Sequence, residues 1–231
     1  MVSEVRKTER SSDMASAILV EATHLFAARG YDGTSVQAIA DAVGIRKASL
    51  LYHYPSKEAL HRRVLEELLS QWNDRLPALM LAASTSRDRF EAVIRAGVEF
   101  FAADLDRGRL LMREMLDRPD EMRRLVSEHS RVWVTAMCGA LREGQAGGRV
   151  HLDLDPEAYV IHIVNLVCGL AAMQPLGTLL VEGSGATPNA EAALDRYVQE
   201  LMRIARVALF VPRTPRPTGE SAKPATVSTE K

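Results

Sequence analysis

The chain has 231 residues, 47% of them hydrophobic, and a formal net charge of −1. That suffices for a substantial core in one large or two small domains, and it excludes a uniformly basic nucleic-acid binder, so any such affinity must come from a local patch. The two cysteines, Cys138 and Cys168, lie in apolar helical stretches and read as reduced core thiols of a cytoplasmic protein, not as a disulfide framework.

The N-terminal MVSEVRKTERSSD is charged and has no apolar h-region, so no signal peptide is expected. Period-two alternation is nearly absent and apolar residues recur at helical spacing, which predicts an all-α chain. Met14, Ile18, Leu19, Ala22, Leu25 and Phe26 form the stripe of a first helix, with Ser11 to Asp13 as its N-cap and Gly30 as its end. Thr34-x-x-Gln37 reads as a capping box for a second helix that buries Val36, Ile39, Ala40 and Val43 before Gly44. A short third helix runs from about Arg46 to Tyr54. Pro55-Ser56 restarts the chain, and Ser56 caps a fourth helix with Ala59, Leu60, Val64, Leu65 and Leu68 on its apolar side.

Beyond Pro77 the spacing predicts helices near 87–105, 108–117, 119–146, 156–181 and 188–211, with start signals at Asp155-Pro156 and Thr187-Pro188 and a break at Arg118-Pro119. The stretch from Ala158 to Val181 is long enough to span a bilayer, but it carries His162, Asn165, Gln174 and Pro175. A central helix buried on all sides explains it better, and no membrane association is expected. The last twenty residues hold four prolines and little that could pack, so 212–231 is expected to be a disordered tail.

Ala40, Gly44 and Leu50 have the spacing of a helix-turn-helix unit: the small Ala lets the second helix approach the third, Gly permits the turn, and Leu closes the core. Helical geometry then turns Lys47, Ser49, Tyr52 and His53 toward solvent with Arg46 at the helix start, an arrangement that fits the major groove. Tyr52 and His53 are the aromatic candidates for phosphate or thymine-methyl contacts, while Leu51 and Tyr54 face inward. From Gly44 to Arg63 five cations (Arg46, Lys47, Lys57, Arg62, Arg63) accompany one anion, Glu58, and Lys57 sits beside the open N–H groups of the fourth helix.

The run GIRKASLLYHYPSKEAL resembles the DNA-binding region of the TetR family of bacterial transcriptional regulators, where G-V-S-K-G-T-L-Y-H-Y-F-P-S-K-E-x-L follows a capped helix. Gly44, Lys47, Leu50, Pro55, Ser56, Lys57, Glu58 and Leu60 match without insertion. Arg46 stands where the family has Ser, and Leu51 where it has Tyr, the ring moving to Tyr52. The resemblance implies a three-helix DNA-binding domain over 1–60 and a larger helical domain over 61–211 for effector binding and dimerisation. The expected DNA contacts are Thr34, Ser35, Arg46, Lys47, Ser49, Tyr52, His53 and Lys57.

The same resemblance implies a homodimer built through the last two helices. On the final helix Leu194, Tyr197, Val198, Leu201, Ala205, Ala208 and Leu209 form the stripe available for it. His129, Trp133 and Met137, four residues apart, and His162 and Asn165 on the central helix are candidates for lining an effector pocket, or for ordinary core groups that satisfy one another. The expected function is a ligand-responsive repressor that binds a palindromic double-stranded DNA operator as a dimer and is released by a small, largely apolar effector. No cofactor is expected, since the six histidines form no H-x-x-x-H pair and no phosphate loop or nucleophile elbow appears, which also argues against an enzyme. The alternatives are a helical adaptor and a redox-sensing regulator built on the two thiols.

Overall fold

A computed structural model describes residues 2–82, 86–182 and 190–212, with side chains over 12–75, 90–170 and 192–212. Ten helices follow one another among these residues: α1 (Val2–Gly33), α2 (Val36–Val43), α3 (Lys47–His53), α4 (Lys57–Ala82), α5 (Ser86–Ala102), α6 (Leu105–Asp117), α7 (Pro119–His129), α8 (Arg131–Ala146), α9 (Pro156–Glu182) and α10 (Ala190–Leu209). The chain is all-α, as expected, with one isolated antiparallel bridge between Val150 and Phe210. The tail expected over 212–231 lies, apart from Pro212, outside the described residues.

Two capping expectations are corrected. α1 begins at Val2, upstream of Ser11 to Asp13, because the Glu, Arg and Lys residues before them are good helix formers and an isolated Ser-Ser-Asp does not halt a helix. The capping box at Thr34 does not form. Ser35 is the N-cap of α2, its hydroxyl accepting from the Ala38 N–H at 3.0 Å, while the Gln37 amide donates forward to Asp41. Gly44 ends α2 with φ 75°, a left-handed conformation that glycine adopts without the strain a Cβ would add, and the Ile45 N–H reaches the Ala40 carbonyl at 2.9 Å.

The helix expected over 119–146 is two helices, α7 and α8, broken at Ser130. The Asn73 side-chain amide on α4 donates to the His129 carbonyl at 2.6 Å, occupying an acceptor that a continuous helix would offer to residue 133. Neither proline nor glycine marks this break, so it is invisible to local sequence reading.

The first core gathers Ile18, Phe26, Ile39, Ala40 and Leu50 with Leu60, Val64 and Leu65 of α4, and extends to Leu110 of α6 and Leu125 of α7. The second is built by α4 to α10 around Phe90, Ile94, Phe100, Leu141, Val160 and Leu201. α4 belongs to both, its early turns in the first core and Leu68 and Trp72 in the second. Close approach is needed at Gly97, where a Cβ would lie 3.3 Å from Val167 and 3.4 Å from the Trp72 ring. The end of α10 is stitched to the loop after α8 by His151 N–H to the Leu209 carbonyl and Val211 N–H to the Arg149 carbonyl, both 3.1 Å.

α9 is not buried on all sides. Ile161 is 60% exposed, and His162, Asn165 and Leu166 share that open face. On α10, Leu201, Ala205 and Leu209 of the expected interface stripe are used inside the protomer, while Ala208 of that stripe is open together with the large apolar side chains of Ile204 and Val207. No helix among the described residues is long and apolar enough to cross a membrane.

Candidate nucleic-acid interface and effector cavity

Leu50, fully buried, anchors α3 to α1 and α2, and this fixes which side chains the short helix turns outward. Arg46, Lys47 and Ser49 are exposed and Tyr52 is 85% exposed. His53 is half-buried, edge-on to Tyr52 with centroids 5.5 Å apart. Leu51 is half-buried, and the Tyr54 hydroxyl donates back to the Ala15 carbonyl of α1 at 3.3 Å, so the aromatic triplet divides between surface and core. Ser35 is exposed at the start of α2, and Ser56 caps α4 through the Ala59 N–H at 3.0 Å.

Thr34 is a correction. It is 1% exposed, and its hydroxyl is hydrogen-bonded to the carbonyls of Gly30 (2.8 Å) and Leu25 (3.1 Å), so it braces the kinked end of α1 and cannot reach DNA. The basic patch is also narrower than its sequence count. Arg62 pairs with Glu121 at 2.9 Å and Arg63 with Glu67 at 2.7 Å, leaving Arg46, Lys47 and Lys57 as the outward cations. Lys57 lies with its ammonium 4.1 Å from the centre of the Tyr31 ring, a cation–π seat that holds it at the N-terminus of α4.

Behind this surface is a joint that the sequence reading missed. His61 is fully buried on α4. Its Nε2 donates to Glu114 Oε1 at 2.9 Å, and its Nδ1 accepts from Arg118 at 3.0 Å, which assigns the proton to Nε2. Arg118 also donates to Glu58 at 2.7 Å and covers the other cation seat on Tyr31, at 4.3 Å. The Arg118 guanidinium, then the Tyr31 hydroxyl, holds the Glu58 carboxyl below the usual range, and burial, then Glu58, pushes the Tyr31 phenol up to about 12. The signal was present but unread: His61 and Glu114 are polar residues on otherwise apolar helical stripes.

The second core encloses a cavity of about 470 Å³. Trp133, Met137 and Asn165 line it, as expected. His129 and His162 do not. His129 ends α7, before the break at Ser130 that separates it from Trp133 and Met137 on α8, and His162 sits on the open face of α9. Trp72 of α4, Phe100 of α5 and Met115 of α6 join the lining, so residues from every helix between α4 and α9 meet there.

Residues 18–64 match the family described as bacterial regulatory proteins, tetR family, and residues 109–179 match its tetracyclin repressor-like C-terminal domain, together just over half of the chain. The chain belongs to the TetR family. Within it, the chain is 41% identical over 61 residues to the biofilm operon icaADBC negative transcriptional regulator IcaR of Staphylococcus epidermidis, covering 26% of this chain and 33% of that protein. It is 39% identical over 67 residues to the transcriptional regulator RutR of Escherichia coli K12, covering 29% and 32%. The chain thus spans about a third of the length of these two curated relatives. A longer match, 28% identical over 155 residues, covers 65% of this chain and 74% of the transcriptional repressor KstR2 of Rhodococcus jostii. The solved structure of KstR2 from Mycobacterium tuberculosis superposes with a TM-score of 0.65 at 18% identity, covering 86% of this chain and 95% of that one. FadR of Bacillus halodurans gives 0.61 at 16%, covering 81% and 94%. At such identities the structural likeness concerns the fold of the TetR-family chain alone.

Proposed function

We propose that this TetR-family chain is a transcriptional repressor that binds a palindromic double-stranded DNA operator as a homodimer and is released by a small, largely apolar effector. The observation that carries the reading is the outward face of α3: Lys47, Ser49 and Tyr52 stand exposed on a helix locked from behind by Leu50, with Arg46 at its start. Such a face, at the end of a tight turn after α2, suits the major groove, and Lys57 with the start of α4 suits a phosphate. Residues 1–60 then read DNA, and 61–211 hold the effector and the dimer contact.

One recognition helix buries too little surface for specific affinity, so two half-sites are needed. Ile161 and Leu166 of α9 with Ile204 and Val207 of α10 offer exposed apolar side chains on the two helices through which the protomers would pair. The effector occupies the cavity whose wall includes Leu68, Leu69 and Trp72 of α4, the helix that begins beside the DNA-reading face. Ligand binding shifts the population toward an α4 orientation in which the two recognition helices no longer fit adjacent grooves. The redox alternative gains no support from the thiols, since burial pushes Cys168 up to about 12 and raises Cys138.

The test is a gel shift on the DNA flanking the chain's own gene. Lys47→Ala and Tyr52→Ala are expected to weaken operator binding by at least tenfold with an intact dimer, and Lys57→Ala to weaken all sequences and reduce the salt slope by about one. Wild-type binding by both α3 variants would overturn the assignment.

A further inference from the structure

The chemistry of the cavity wall narrows the effector class, an inference that rests on the cavity being the effector site. Among the described residues lining the cavity there is no Lys, Arg, His, Asp or Glu. Two guanidiniums, Arg75 and Arg107, rest on the Phe100 ring at 5.2 and 4.5 Å from its centre and form no part of the lining. Of the lining polar groups, the Tyr159 hydroxyl is already committed to the Ala205 carbonyl at 2.7 Å, and Asn165 lies at the exposed edge. Apart from the weakly donating Cys168 thiol, two donors remain, both at the start of α8. Ser130 is 3% exposed and makes no side-chain capping bond, and the indole Nε1 of Trp133, three residues on, is enclosed with no hydrogen-bond partner.

We infer that the cavity takes an uncharged, predominantly hydrocarbon molecule bearing a hydrogen-bond acceptor, an ester or ketone carbonyl, that is received by the Trp133 indole N–H and the Ser130 hydroxyl. A carboxylate finds no cation among the described residues of this wall, and an unpaired charge in such a site is neutralised rather than buried. A fatty acid therefore enters as the neutral acid. At a pH of about 7.3, roughly three units above a reference carboxyl pKa of about 4.3, this lowers its apparent affinity about a thousandfold. An acceptor, by contrast, satisfies a donor that has none, so its bond is not offset by a lost partner. The volume of about 470 Å³ is that of a site for a drug-sized molecule.

The chain's two tryptophans, Trp72 and Trp133, both line the cavity, so intrinsic fluorescence reports its occupancy without a dye. The full-length protein is titrated with methyl octanoate, octanoate and decane across a range of pH. Methyl octanoate is expected to bind at least a hundredfold more tightly than octanoate near neutrality and independently of pH, whereas octanoate gains about tenfold per unit of acidification. Trp133→Phe, read through Trp72, weakens the ester by about tenfold and leaves decane unchanged, and Ser130→Ala gives a smaller loss in the same direction. Octanoate binding as tightly as the ester without pH dependence, or an ester indifferent to both substitutions, overturns the inference. A gel shift with the same probes separates the two levels. Operator release by octanoate as readily as by the ester sinks the neutral-ligand inference and leaves the repressor reading standing. Tight ester binding with no release of operator by any probe supports the cavity chemistry and counts against the effector reading.

Discussion

Replacing His61 by alanine strands a carboxylate. The His61 imidazole and the Glu114 carboxylate meet at 2.9 Å with both side chains 1% exposed, and Glu114 Oε2 already has no hydrogen-bond partner. Without the imidazole, Glu114 loses the donor that α4 supplies, and Phe26 and Tyr31 lose a ring packed edge-on at 4.7 and 4.8 Å. Leaving a buried, charged acceptor without its donor costs about 3 kcal/mol or more. Glu114→Ala removes the anion together with its desolvation penalty and leaves the imidazole still held by Arg118, so it is expected to cost less, about 2 kcal/mol. The double variant has no stranded charge, and its loss should fall short of the sum of the singles by about 2 kcal/mol. Urea unfolding at one fixed protein concentration measures all four proteins, because the stability of the proposed dimer would depend on concentration. Losses that add to within about 0.5 kcal/mol would refute the idea that the pair acts as a unit across α4 and α6.

Thr34→Val should cost about 1–2 kcal/mol, since two enclosed carbonyls lose a donor, and leave operator affinity unchanged; weaker DNA binding at unaltered stability would return Thr34 to the interface. Gly144→Ala is expected to destabilise by about 1–3 kcal/mol in thermal or urea melts, because the new Cβ would sit 2.6 Å from Val150 Cγ2, where the end of α10 docks. Burial raises the Cys168 thiol to about 12, while in the unfolded chain it ionises near 8.5. The unfolded state therefore releases the proton first, and stability falls as pH rises from about 9 toward 12, by at most about 1.4 kcal/mol per unit for this group. Cys168→Ala should flatten that slope in alkaline urea melts, and the native thiol should resist alkylation at neutral pH until the protein unfolds.

The three-helix unit was legible because its determinants are local. A glycine at a left-handed turn, a small residue at a helix crossing, a capping serine before Lys57 and a leucine facing inward each act over a few residues, and together they orient α3 whatever the rest of the chain does. Lys47, Ser49 and Tyr52 followed from that geometry, and Ser35 was exposed as expected, but Thr34 was misassigned: a hydroxyl beside a helix start can cap it, face outward or brace the previous helix, and the sequence does not rank these. Trp133, Met137 and Asn165 were found for the cavity by their helical spacing. His129 was lost when that spacing was carried across Ser130, where the interruption comes from Asn73, 56 positions away in the chain.

By itself the sequence determined the helical periods, the caps at Ser56 and Asp155, the αL turn at Gly44 and the side of α3 left for solvent, because backbone sterics and the 3.6-residue repeat of the helix act within a few residues. Tertiary structure alone decided which polar residues meet. His61 and Glu114 are 53 positions apart, Arg62 and Glu121 are 59, and Tyr159 reaches Ala205 across 46. It also decided which apolar faces close within one chain and which, on α9 and α10, stay open. The physical reason is that burial is a property of surfaces brought together: a stripe records that a face is apolar, and only packing selects the neighbour that removes it from water.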